Sequence, residues 1–219
     1  MKTSRPGSIP VISSAVTSGS PNPAPKAPVR LSDPRSIRAL AHPARLAVIE
    51  ELYSGGAELT ATECATIVGL SPSAMSYHLR SLEKAGIVER AEATGDGRER
   101  PWRASGRYLQ VDGDESSAAG SAASGALGDV VLHRLVEQFN AYMARRGAET
   151  KEWRDASGIS SGQLWLTPDE VEAFSQRALD KLEDYRGRAS AGQRPPGARR
   201  VRISLVVFPV DPESAGRGD

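Results

Sequence analysis

Cysteine, histidine and long apolar runs are all scarce in this chain of 219 residues. Cys64 is its one cysteine, which excludes an internal disulfide and a structural cysteine cluster for zinc, and fits a reducing compartment. No apolar run approaches the roughly 20 residues needed to span a bilayer. The first thirty residues contain no apolar stretch followed by a cleavage site, so no secretory signal is read and a cytoplasmic location is expected. There is no phosphate-cradling glycine loop of the GxxxxGK type. The 3 histidines are scattered, and with one cysteine they assemble no nucleophile and base. The chain is not expected to be an enzyme, and neither cofactor nor metal is expected. A hydrophobic content of 39% suffices for a core and for one or two domains, but not for a membrane protein.

The net charge of +1 conceals a segregation along the chain. Residues 1–32 carry 4 basic side chains and no acid; residues 112–187 carry 8 basic against 14 acidic, and residues 188–202 carry 5 arginines and no acid. Arg98, Arg100, Arg103 and Arg107 lie close together against Asp96 and Glu99, so a local positive field is expected there. Prolines at 6, 10, 21, 23, 25 and 28 among serine, glycine and alanine make residues 1–30 read as a disordered arm.

The stretch from Leu59 to Arg103 organises the rest. Thr60 and Glu63 form a capping box, starting a helix near residue 61 that carries Cys64, Ile67 and Val68 inward and stops at Gly69. Ser71 at the cap and Pro72 at the first helical position start a second helix over about 72–85. Met75, Leu79 and Leu82 form its apolar stripe, and Gly86 ends it. Two helices separated by a short turn form a helix-turn-helix, whose second helix enters the DNA major groove. Strand-like segments at 87–92 and 100–103 then flank Gly95-Asp96-Gly97, a hairpin with arginines at its tip. Upstream, Asp33-Pro34 caps a helix with Ile37 and Leu40, and His42-Pro43 interrupts it before a helix with Leu46, Ile49, Leu52 and Tyr53 inward.

In LAHPARLAVIEEL, TATECATIVGLSPSAMSYHLRSLEKAGIVER and the hairpin, the sequence resembles the winged helix-turn-helix regulators of the ArsR type over about residues 33–110. SYHLRSLEKAGIVER is the most specific part. The resemblance implies a prokaryotic, sequence-specific transcriptional regulator, a repressor, that binds double-stranded operator DNA as a homodimer. Ser73, Ser76, Tyr77, His78, Arg80 and Lys84 on the second helix, with Arg98 and Arg100 on the wing, are the expected DNA contacts. The rival reading is a winged-helix protein-interaction module that no longer binds DNA. Many such regulators sense metals through a Cys-x-Cys pair; here Thr60 and Thr62 stand at those positions. Cys64 therefore reads as a small buried residue, and His133 has no second histidine near it.

Residues 107–111 read as a short third strand and 112–125 as a Ser/Ala/Gly-rich linker. A long helix follows to about residue 150, with Leu127, Val131, Leu135, Phe139 and Tyr142 as a stripe for dimerisation or for an internal core. Residues 153–166 read as loop. Thr167 and Glu170 make a second capping box for a helix carrying Val171, Phe174, Ala178, Leu182 and Tyr185. Trp153 and Trp165 line a small-molecule effector pocket or serve as packing. Alternation at Val201, Ile203, Leu205 and Val207 reads as one strand, paired with 107–111, the wing or a second protomer. The expected fold is mainly α with a small β wing: a winged helix-turn-helix over 31–111 and a C-terminal helical or α+β dimerisation and effector region over 126–210. A disordered tail is expected over 211–219.

Overall fold

The computed structural model describes residues 9–13, 27–55, 57–92, 100–114, 116–190 and 195–210, with backbone only at 9–13, 54, 55, 183 and 186–190. The elements in order are β1 (Ile9–Ser13), β2 (Val29–Leu31), α1 (Pro34–Leu40), α2 (Pro43–Gly55), α3 (Ala61–Val68), α4 (Pro72–Lys84), β3 (Val88–Arg90), β4 (Trp102–Ala104), β5 (Tyr108–Val111), α5 (Ala118–Arg145), α6 (Lys151–Asp155) and α7 (Pro168–Ser190). The architecture is mainly α with a small β wing, as expected. None of the described helices is long and apolar enough to cross a membrane.

Local chemistry starts and stops the helices where the sequence places those signals. The Asp33 carboxylate accepts from the Ser36 amide at 3.0 Å, with Pro34 in the first turn of α1. Both halves of the Thr60–Glu63 box form: the Thr60 amide donates to Glu63 Oε2 at 2.7 Å and the Glu63 amide to Thr60 Oγ1 at 3.2 Å. Gly69, at φ 75°, closes α3 in the left-handed conformation that side chains disfavour. Ser71 accepts from the Ala74 amide at 3.3 Å and opens α4.

One core unites these elements. Ile37, Leu40, Ile49, Leu52, Met75, Leu79, Leu82, Ile87 and Trp102 are completely buried together with Cys64, which packs as the small apolar residue expected. Tyr53 is buried among them and donates its hydroxyl to the Ile87 carbonyl at 2.6 Å, satisfying a polar group that burial would otherwise penalise. Behind α4, β3 and β4 pair antiparallel, and Leu59 exchanges two backbone hydrogen bonds with Trp102 on the other edge of β4 (2.9 and 2.7 Å). The strand-like span 87–92 contracts to Val88–Arg90 and the span 100–103 shifts to Trp102–Ala104. The wing tip, with Arg98, lies outside the described residues, as do most of the expected arm and the expected tail.

Several expectations are corrected, among them Ile67, expected inward on α3 and 49% exposed. Residues 9–13 fall in the arm read as disordered, yet they form β1, antiparallel to β5, while β2 runs parallel along the other side of β5. A register shift between Pro10 and Ile12 accommodates the proline, which an edge strand tolerates at an irregularity. The segment read as linker over 112–125 is helical from Ala118, because Ser117 caps it by accepting from the Gly120 amide at 3.0 Å. Its inner face is a packing surface: Gly120, Ala123 and Leu127 are buried, and a Cβ at Gly120 would meet the Asp114 carbonyl oxygen at 1.9 Å. Of the stripe read for dimerisation or an internal core, Leu127 is part of the protomer's own core, and Val131 packs against that core.

Two more corrections lie further along. α6 interrupts the loop read over 153–166. The strand expected over 201–208 is not formed: residues 201–210 pair with no described strand, and both flanks of β5 and of β4 are occupied. The Thr167–Glu170 box does form, with the Thr167 amide donating to Glu170 Oε2 at 2.7 Å and the Glu170 amide to Thr167 Oγ1 at 3.3 Å.

Candidate nucleic-acid interface

α4 is two-sided. At about 100° per residue, Met75, Leu79 and Leu82 share one face, and all three are fully buried. Ser73, Tyr77, Arg80 and Lys84 recur at i, i+4, i+7 and i+11 on the opposite face, and all four are exposed. Tyr77 is 67% exposed, high for an aromatic residue in the middle of a helix. Neither Arg80 nor Lys84 forms an ion pair with another described residue. Ser76 sits on the flank, half-buried. The stripe therefore offers two cations, a phenol and a hydroxyl on a rigid support, which suits contact with phosphates and base edges.

His78 is not brought to this face. It turns toward the α1–α2 corner and packs on His42, ring centroids 4.6 Å apart, with its Nδ1 buried and without a hydrogen-bond partner. Burial holds both imidazoles below their ordinary value, with Arg45 adding to the effect on His42, and His42 and Arg45 to that on His78. Arg45 donates to Ser81 Oγ at 2.8 Å and fastens α2 to α4. His42 Nδ1 accepts from the Ala44 amide at 3.2 Å, the satisfied structural role its place before a proline suggests.

The wing arginines divide. Arg103 is committed to Glu89 at 2.8 Å and Glu58 at 3.4 Å, and so adds little to an outward field. Arg100 is exposed. Arg90, which the sequence did not single out, lays its guanidinium 3.7 Å over the Trp102 ring and donates to the Arg100 carbonyl at 2.8 Å. The strand register that makes Arg90 and Trp102 partners is the signal for this contact, and it braces the base of the wing.

A second missed network ties this head to the C-terminal half. Glu50 on α2, with a side chain 10% exposed, accepts from Arg134 of α5 at 2.7 Å and pairs with Arg202 at 2.5 Å. Gln138 also donates to Glu50, at 3.3 Å. Arg200 is bidentate on Glu51 (2.8 and 2.7 Å) and holds its carboxyl below the usual range. Arg199 is bidentate on Glu149 (2.6 and 3.1 Å) and lies over Trp153. An open cleft of about 440 Å³, lined by His42, Ala47, Ile67, Leu70 and Arg134 among others, adjoins this network. Trp153 and Trp165 do not share a pocket: Trp165 is 97% exposed, whereas Trp153 sits under Arg199. Among the described residues no group of three or more His, Cys, Asp or Glu side chains is placed to hold a metal ion.

A family model described as a helix-turn-helix domain matches residues 40–91. No curated protein matches the chain. Among solved structures, a homodimeric winged helix-turn-helix DNA-binding domain from Mycobacterium bovis, a possible ArsR-family regulator, is 21% identical, covering 48% of this chain and 76% of that one (TM-score 0.30). The S. aureus MepR–DNA complex is 15% identical over 52% of this chain and 85% of that one (TM-score 0.29). A MarR family protein of Mycobacterium tuberculosis, in complex with salicylic acid, is 23% identical over 68% of this chain and 85% of that one (TM-score 0.27). Residues 40–91 are thus similar to a helix-turn-helix domain, and with the β3–β4 sheet behind them the head of this chain has a winged helix-turn-helix fold.

Proposed function

We propose that this protein is a homodimeric transcriptional regulator, a repressor, that reads operator DNA with the outward face of α4. The observation that carries the reading is the exposed stripe Ser73, Tyr77, Arg80 and Lys84 on a helix whose opposite face is completely buried. Such a helix is held rigidly and is free on the side a groove would meet. Arg80 is the side chain suited to a guanine edge, Ser73 and Lys84 to phosphates, and Arg100 with Arg98 to the flanking backbone.

A pair of heads is needed for two successive major grooves, about 34 Å apart. Leu127 and Val131 are taken by the protomer's own core, so the pairing surface falls on the remaining α5 residues. Leu135, Phe139 and Tyr142 are half-buried, and Leu132, Val136 and Met143 are 46%, 57% and 47% exposed.

A gel-shift titration on the gene's own upstream region, at about 50 and about 200 mM salt, tests the reading. Affinity should fall by roughly a hundredfold or more between the two through counterion release. A winged helix that docks only proteins would shift no DNA at either salt. Val136→Asp, at a position open in the protomer, should leave the chain folded yet monomeric by light scattering and weaken operator binding by roughly two orders of magnitude. A folded, dimeric mutant with unchanged affinity would exclude this face of α5.

A further inference from the structure

Residues 201–208 carry the largest unused binding capacity among the described residues. Val201, Ile203, Leu205, Val206, Val207 and Phe208 are 39–68% exposed, and no backbone hydrogen bond joins residues 201–210 to any described residue. The segment is nevertheless anchored. Arg200 and Arg202, two residues apart, both reach α2 at Glu51 and Glu50, while Arg199 reaches Glu149. That is the alternation of a strand, with the even-numbered arginines on one side and Val201, Ile203, Leu205 and Val207 on the other. An anchored, apolar segment with a strand's alternation and no pairing is a backbone edge open to a partner.

None of the described residues pairs with it. β5 has strands on both sides, and β4 lies between β3 and Leu59. We propose that residues 201–208 pair antiparallel with the same residues of a second copy, with Ser204 on the twofold axis; this rests on the dimer reading above and names a contact for it.

Self-complementarity selects both the partner and the register. In an antiparallel pair, directly opposed residues share a face, so the apolar sides meet only when the two residue numbers sum to an even value. With Ser204 on the axis, Val201 opposes Val207 and Ile203 opposes Leu205, so all four apolar residues of the odd-numbered side find apolar partners, while Val206 opposes Arg202. Arg200 then opposes Phe208, and Pro209 falls outside the ladder. With Leu205 on the axis, Pro209 would oppose Val201 inside the ladder, where its missing amide breaks a bond. Each protomer's arginines stay on their own glutamates, so the strand is held in place before the second copy arrives. A two-stranded ribbon is marginal alone and needs a cover. The apolar stripe of α7, on which Phe174 is 45% and Tyr185 55% exposed, is suited to that role.

The test is disulfide capture. Residues on the axis stand about 4.5 or 5.5 Å apart between Cα atoms, within reach of a disulfide. Cys64 is fully buried and does not compete. Under mild oxidation Ser204→Cys should double the apparent mass on a non-reducing gel, reversibly with reductant. Ile203→Cys and Leu205→Cys should each stay single alone and couple when the two are co-expressed. A protein that is dimeric by light scattering, yet whose Ser204→Cys variant does not cross-link, overturns the strand pairing and leaves the dimer reading standing. A monomeric wild type overturns both. Cross-linking by Leu205→Cys in place of Ser204→Cys overturns the Ser204 register.

Discussion

Two tryptophans show how differently the halves of this molecule are built. Trp102 sits at the centre of the helix-turn-helix head, completely buried and overlaid by Arg90, whereas Trp165 in the C-terminal half is 97% exposed. Around Trp102 every large apolar side chain of α4 but Tyr77 is buried. Around Trp165, Ile159 and Leu164 are each 74% exposed, and Leu166 is 42% exposed. Scattered surface leucines mean little, but so many open apolar residues together are what the proposed pairing of two copies would cover. The head is complete as one chain. The C-terminal half leaves its large apolar side chains open.

The sharpest way to test that contrast is to remove each tryptophan. Trp102→Ala should cost about 3–5 kcal/mol by denaturant titration, through lost burial and the cavity left behind. Trp165→Ala should change protomer stability by less than about 0.5 kcal/mol. Equal losses at both sites would show that the C-terminal half has a core of its own.

A smaller effect separates two glycines of α5. Gly120→Ala forces a methyl against the Asp114 carbonyl and should destabilise by about 1–3 kcal/mol. Gly125→Ala meets nothing within 4 Å and should stabilise the helix by about 0.5–1 kcal/mol. Opposite signs in thermal melts would locate the seam between head and extension at the start of α5.

Within the head, Arg80→Ala should leave melting unchanged and remove about 1–3 kcal/mol of discrimination between operator and random DNA. A loss equal on all sequences would assign Arg80 to phosphate, and no loss would remove it from the interface.

The smallest expected effect concerns His42 and His78. Their folded-state values lie below the ordinary imidazole value of 6.5, so the unfolded chain takes up protons first as pH falls. Stability should therefore be level above pH 6.5 and decline below it. A His42→Gln, His78→Gln double variant should melt with a flatter dependence between about pH 5 and 8. An unchanged slope would place the responsible groups elsewhere.

What could be read from the sequence follows from the range of the interactions. The caps at Asp33, Thr60, Ser71 and Thr167 act over three or four residues, and each forms where its side chains stand. The outward stripe of α4 follows from helical period alone. The Ala/Ser/Gly run before Leu127 was ambiguous, because small residues suit a loose linker and equally a helix pressed close to its neighbour. Only the packing of α5 on α1 decides between them. The partners of Glu50 and Glu51 were beyond reach: Arg200 lies 149 positions from Glu51, and no local pattern announces such a pair. Helical period alone sets His78 toward the packing side of α4, but its contact with the ring of His42 depends on how α1, α2 and α4 meet.

The three-stranded sheet sets an order of events during synthesis. β1 and β2 leave the ribosome first, but β5, the strand both require, ends at Val111. The helices α1 to α4 find most of their contacts among near neighbours in sequence, which favours early formation. The sheet closes a loop of about a hundred residues, for which the entropic cost rises only with the logarithm of length. A nascent chain halted before Tyr108 would hold a helix-turn-helix with neither of its N-terminal strands in place.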